Sequence, residues 1–216
     1  MPSPPACASP APSRRDCPRC LRADCVCACL DRPGLPLATP LSLLILQHPR
    51  EQREVKGTAR LLHLAVAGSR LLAGERWLAD PEPQSARLDL LLYPPTPGDA
   101  TLPAPPPLPE PLPPPHRLRL VVVDATWRKS RRMLGESPWL QGLPRLALQQ
   151  PPASRYRIRR ARGAGQLSTF EATALALAQL QGDAGVAQAL WPVFEAFVAQ
   201  LAARQPAGLP GSPSSE

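Results

Sequence analysis

One acid closes the most apolar run of the chain. Leu118, Leu120, Val121, Val122 and Val123 lead straight into Asp124. Ligands of open α/β sheets bind at the carboxyl ends of strands, so a carboxylate there is placed to accept a proton or orient a polar edge. The position also suits a plain helix cap, supplied by Asp124 or by Thr126 to the segment starting at Trp127. A second apolar run, 41–47, ends in Gln47-His48-Pro49-Arg50-Glu51 and so carries polar groups to the same kind of crevice. His48 fits a base, an RNA contact or a loop residue, whereas His63 falls within a helix as a half-buried packing residue. Cys17 and Cys20 form a C-x-x-C pair, and Cys25 and Cys27 a C-x-C pair. Four thiolates so close together meet the ligand count of a tetrahedral structural zinc site; free or redox-active thiols are the other reading. Cys29 is a spare, and Cys7 belongs to the tail.

Arginine dominates the cations. Arg128, Arg131 and Arg132 share one helix face, and Arg155, Arg157 and Arg159 alternate along what would be an extended segment. Both rows suit phosphate contacts, and both also suit a solvated surface. The formal charge of +8 and pI near 9.8 agree with a polyanionic partner such as RNA, although Arg-rich usage also follows from a GC-rich genome.

The elements that must position these groups read as an α/β domain. Buried strands are expected at 41–47, 86–93, 118–124 and 144–149, with 71–78 an ambiguous short strand and turn. A helix is expected from Thr58 as N-cap to Gly68 as C-cap, and another after Asp124. A turn follows at 140–144. Ser168-x-x-Glu171 has the capping-box pattern and opens a helix that ends near Gly182. A last helix, 184–203, carries Trp191, Phe194, Phe197 and Leu201, with Pro192 marking a kink or its first turn. Residues 94–115 are too proline-rich for regular structure and read as a lengthened polyproline loop rather than a PxxP docking site. The chain thus divides into a disordered tail (1–16), a Cys-rich segment (17–32), an α/β domain (33–204) and a second tail (205–216). No apolar run reaches membrane-spanning length and no secretory h-region opens the chain, so a cytoplasmic protein without a membrane partner is expected.

Four stretches together resemble one known family. Asp124, Thr126 and Trp127 match the D-x-T-W signature of DTW-domain proteins. The Cys cluster at 17–27, QHPRE with GTARLLHLA at 47–65, and SRYRIRR with LSTFEA at 154–172 follow the family's order. That family is similar to the SPOUT-like α/β-knot enzymes. The resemblance implies a mostly parallel sheet flanked by helices, with a small zinc-binding segment at the N-terminus. It also implies a tRNA-uridine aminocarboxypropyltransferase that uses S-adenosylmethionine. Asp124, Thr126 and Trp127 would then be catalytic. Gln47, His48, Thr58, Ser168, Thr169 and Glu171 would surround the cofactor. Arg50, Arg60, Arg128, Arg131, Arg132, Arg155, Arg157 and Arg159 would meet tRNA. Gly57 lies in the same matching stretch, and Cys17, Cys20, Cys25 and Cys27 would hold zinc. Two other readings use the same residues: a related RNA methyltransferase or rRNA aminocarboxypropyltransferase, and a non-enzymatic zinc RNA-binding module in which Asp124 only caps a helix.

Overall fold

The structure, a computed structural model, describes residues 17–22, 25–84, 86–96, 102–157 and 166–204. The two expected tails lie outside them. The apolar runs become strands: β1 (Ser42–Gln47), β2 (Arg70–Ala73), β3 (Leu88–Leu92), β4 (Leu118–Asp124) and β5 (Arg145–Leu146). They form one sheet in the order β2-β1-β4-β3-β5, with every neighbouring pair parallel. Side chains alternate across a strand, so each run supplies two cores. Leu43, Ile45, Leu120 and Val122 face α1 (Ala59–Ala65), α4 (Thr169–Gln181) and α5 (Ala184–Ala202). Leu44, Leu46 and Val121 face α2 (Trp127–Gly135) and α3 (Pro138–Gln141).

This topology creates a crevice. The chain leaves β1 through α1 on one face of the sheet and leaves β4 through α2 on the other. Adjacent parallel strands whose connections part to opposite faces open a gap at their carboxyl ends. The register pairs Gln47 with Asp124 there, at the last position of each strand.

Several expectations are corrected. The ambiguous 71–78 stretch is edge strand β2, ending at Ala73. β5 is two residues long rather than six, because only Leu91 and Leu92 pair with it. Helix α1 stops at Ala65, before Gly68. The amide of Leu37 takes the Ala65 carbonyl at 2.8 Å, and the Leu37 carbonyl takes the Ala67 amide at 2.9 Å, which draws the chain into a parallel bridge. The expected turn at 140–144 is preceded by short helix α3. Pro192 lies inside α5. Residues 102–114 are irregular, pinned by Leu102, Leu108 and Leu112 against the two cores, and a short 3-10 turn, Pro115–Arg117, leads into β4.

One charge sits inside the sheet. Arg119 of β4 is 1% exposed. It lies opposite Asp89 of β3, and its Nε donates to Asp89 Oδ1 at 2.9 Å. Its Nη2 donates to Asp80 at 2.6 Å, and Trp139 covers the guanidinium at 5.5 Å. Such a pair is tolerated because both carboxylates saturate the fork.

Candidate active site

Asp124 is 7% exposed, and the N-cap position of the helix that follows belongs to Thr126. Gln47 Nε2 donates to its Oδ2 at 2.9 Å, and Thr169 Oγ1 donates to Oδ1 at 2.6 Å. Its carbonyl accepts the His48 amide at 3.0 Å, which extends the β1–β4 ladder by one bond. Helix α2 begins at Trp127 with Thr126 at the N-cap position, and the Thr126 side chain makes no cap bond. The capping explanation therefore fails for the Thr126 side chain. Gln47 and Thr169, from two different elements, orient the Asp124 carboxylate.

A cavity of about 420 Å³ opens beside it, within the size range of small-molecule sites. Tyr93, Val122, Trp127, Leu148, Leu167 and Thr169 contribute to its wall. Trp127 is 49% exposed and meets Tyr93 edge to face, with centroids 5.9 Å apart. It is thus a rim residue and not core. Tyr93 was not foreseen; its signal was its place immediately after β3, at the same sheet end as Asp124.

The residues expected around a cofactor divide by what they touch. Ser168 and Thr169 line the cavity. Glu171 is 1% exposed and accepts four donors. Arg155 N at 2.6 Å and Ser154 Oγ at 3.0 Å reach Oε1; Ser168 N and Oγ, both at 2.8 Å, reach Oε2. The capping box is present, with the Glu171 amide donating to Ser168 Oγ. Thr58 stands at the expected N-cap position of α1 but makes no side-chain cap bond there; its hydroxyl accepts the Phe170 amide at 3.2 Å. The Phe170 and Glu171 amides are therefore engaged within the protein. His48 Nδ1 accepts the Arg50 amide at 3.1 Å, so Nε2 carries the proton of the neutral ring. Nε2 lies 3.5 Å from Glu75, an acid that sequence reasoning missed. Gly74 leads into Glu75, and a Cβ at Gly74 would meet Trp77 at 2.7 Å.

The arginines separate as well. Arg50, Arg128, Arg131 and Arg132 are exposed, and Arg132 pairs with Glu136 at 2.7 Å. The Lys129–Glu51 bridge, 2.6 Å, draws α2 beside the turn that carries Arg50. Arg60 is half-buried and donates to the Arg19 carbonyl at 3.1 Å. Arg155 pairs with Glu195 at 2.6 Å and lies over Trp191. The expected extended row does not form over the described part: the Arg157 amide turns back to the Arg155 carbonyl at 2.9 Å, and buried Tyr156 anchors the turn. Arg157 is exposed, and Arg159 lies outside the described residues.

The Cys quartet converges. The sulfurs of Cys17, Cys20, Cys25 and Cys27 all lie within 4.8 Å of one another, with Cys17 3.6 Å from Cys25 and 3.8 Å from Cys27. A tetrahedron of bonds near 2.3 Å separates its sulfurs by about 3.8 Å, so the set fits zinc. Burial opposes ionisation of Cys17, but the Cys20 and Arg19 amides outweigh it and hold the thiol at about 6. Burial pushes the Cys20 and Cys27 thiols up. Cys29 stands apart, its sulfur donating to Gln200 at 3.3 Å, and Cys7 lies outside the described residues.

The DTW domain family model matches residues 14–202. A Drosophila melanogaster protein named tRNA-uridine aminocarboxypropyltransferase 2 is 31% identical over 195 residues, covering 85% of this chain and 73% of its own length. A Macaca fascicularis protein of the same name is 27% identical over 179 residues, covering 80% and 58%. An Arabidopsis thaliana protein named tRNA-uridine aminocarboxypropyltransferase A is 26% identical over 148 residues, covering 57% and 52%. The chain thus spans between about half and three quarters of these relatives' length. No solved structure matches it. Trp127 lines the cavity, Asp124 stands at the crevice next to the lining residues Val123 and Ala125, all lie within the matched region, and the chain belongs to the DTW domain family.

Proposed function

We propose that the chain transfers the 3-amino-3-carboxypropyl group of S-adenosylmethionine to N3 of a tRNA uridine. The relatives' names supply the reaction class. The observation that carries it here is the Asp124 carboxylate, held by Gln47 and Thr169 at the sheet's switch point beside a nucleoside-sized cavity. When bound, S-adenosylmethionine supplies a sulfonium whose attached carbon is open to displacement, with methylthioadenosine as leaving group. A carbon–nitrogen bond forms, a carbon–sulfur bond breaks, and the N3 proton must leave. Asp124 accepts that proton, since N3 of uridine is a weak nucleophile while protonated. The cavity wall and the start of α4 hold the donor with its reacting carbon in line, and positioning of this kind dominates such displacements. Trp127, exposed at the rim, stacks on the target base, an interaction of about 1–3 kcal/mol. Arg50, Arg128, Arg131 and Arg132 hold the tRNA backbone from the same rim. The four cysteines hold a structural zinc, whose thiolates require a reducing compartment, and we place the protein in the cytoplasm. Among the described residues no helix is long and apolar enough to cross a membrane.

Nucleoside mass spectrometry tests this reading. Purified protein is incubated with S-adenosylmethionine and unmodified tRNA transcripts, which are then digested. Uridine carrying the aminocarboxypropyl mass with the wild type, and not with Asp124→Ala, is expected. A methyl mass would overturn the group assigned, and no product on any tRNA would overturn the activity.

A further inference from the structure

The loop between the turn at Pro49–Glu51 and α1 has no sheet or helix of its own to hold it. It turns tightly, with the Gly57 amide on the Glu54 carbonyl at 2.9 Å, and a Cβ at Gly57 would meet that carbonyl at 3.1 Å. Yet three consecutive carbonyls of this loop are engaged by side chains from distant parts of the chain. Arg22 donates from its two Nη atoms to Val55 O and Gly57 O, and Tyr156 Oη donates to Lys56 O at 2.8 Å. The Arg22 guanidinium also lies 5.0 Å over the ring of Phe197 in α5. Arg22 is itself part of the Cys-rich segment, between Cys20 and Cys25.

We propose that Arg22 is a positioning residue that ties the Cys17–Cys27 metal centre to the start of α4, where the active-site pocket is built. The connection is continuous. Arg22 fixes the carbonyl of Gly57, and the next residue, Thr58, accepts the Phe170 amide at 3.2 Å. Phe170 follows Thr169, whose hydroxyl holds Asp124 at 2.6 Å. A second tie runs parallel to the first: Arg60, in the first turn of α1, donates to the Arg19 carbonyl inside the C-x-x-C knuckle. Charge supports the arrangement. A zinc tetrathiolate is a net dianion, so a metal held by the four cysteines would attract the Arg22 guanidinium of the same segment, whose fork engages the loop. Loss of the metal removes that anchor, and loosening passes through Thr58 to the pocket wall.

The test uses full-length, zinc-loaded protein and amide hydrogen exchange read by mass spectrometry, with zinc content measured in parallel. Arg22→Ala should keep its zinc while exchange rises about tenfold in peptides covering 55–60 and 168–171, the segments whose bonds depend on the loop. Arg22→Lys, which keeps charge and donors without the fork, should restore much of that protection. If Arg22→Ala does not fold, Tyr156→Phe keeps the ring, removes the hydroxyl that holds the Lys56 carbonyl, and should raise exchange at 55–58. The kinetic readout rests on the function proposed above: KM for S-adenosylmethionine should rise about tenfold with little change in kcat, whereas a smaller folded fraction would lower kcat alone. Faster exchange confined to 17–30, or zinc lost from the variant, would overturn the proposal. Wild-type protein without product would overturn the proposed function and leave the exchange result standing.

Discussion

Glu171→Gln is the sharpest probe of how the pocket is held. The wild-type carboxylate is acceptor-only, and all four of its close neighbours are donors: two serine hydroxyl contacts and the amides of Arg155 and Ser168. The hydroxyls can rotate, but the two amides cannot, and they approach different oxygens, at 2.6 and 2.8 Å. Glutamine offers one oxygen and one amino group. Either flip therefore sets a backbone N–H against an NH2, in a site that is 1% exposed. An unsatisfied buried amide costs about 1–3 kcal/mol, and the surviving bonds lose their charge assistance, so the substitution should cost about 2–4 kcal/mol. For a domain of this size that lowers Tm by about 4–16 °C. Urea unfolding followed by circular dichroism measures the free energy, and a thermal scan measures Tm. The start of α4 should also loosen, weakening the donor site before the fold is lost. A change below about 1 kcal/mol would refute the donor count, because the bonds lost are each worth that much.

Two further outcomes follow from the same geometry. Trp127→Ala, which removes a half-exposed ring from the rim, should weaken tRNA binding about 10- to 100-fold in an equilibrium binding assay, with stability nearly unchanged; an unchanged affinity would return Trp127 to a packing role. His63 is pushed below its ordinary value by burial and by nearby Arg60 and Arg70. A depressed histidine lets the unfolded chain bind the proton first, so its stabilising contribution is present above about pH 6.5 and fades as pH falls through the folded value. Urea midpoints measured from pH 7.5 down to 5 should fall less steeply in His63→Gln than in wild type.

The central strands were legible because burial on both faces leaves an unbroken apolar run, as in β1 and β4. The capping box at Ser168 and the left-handed Gly182 were legible because caps depend on a few local atoms. The edges were legible only in outline. The 144–149 strand is expected too long and 71–78 stays ambiguous, because β2 and β5 are short, half-covered and carry Arg70 and Arg145. Arg119 breaks the strand pattern without breaking the strand, because Asp80 and Asp89 come from distant positions to meet it. Thr58 carried the local signature of a cap, yet its hydroxyl serves another helix 112 residues away in sequence. Arg155, Arg157 and Arg159 alternate as a strand would, but the fold of 154–157 is decided by the docking of Tyr156 under α5 and by Glu171 gripping the Arg155 amide. In each case the missing information was a long-range partner.

In the proposed mechanism Asp124 acts on the substrate proton and does not merely shape the donor pocket. Single-turnover formation of modified uridine by Asp124→Asn tests it most directly, with S-adenosylmethionine affinity measured on the same sample. Product formation should slow by about 100-fold or more, in line with loss of a general base, while donor affinity stays within about threefold of wild type. Product formation at close to the wild-type rate would contradict it.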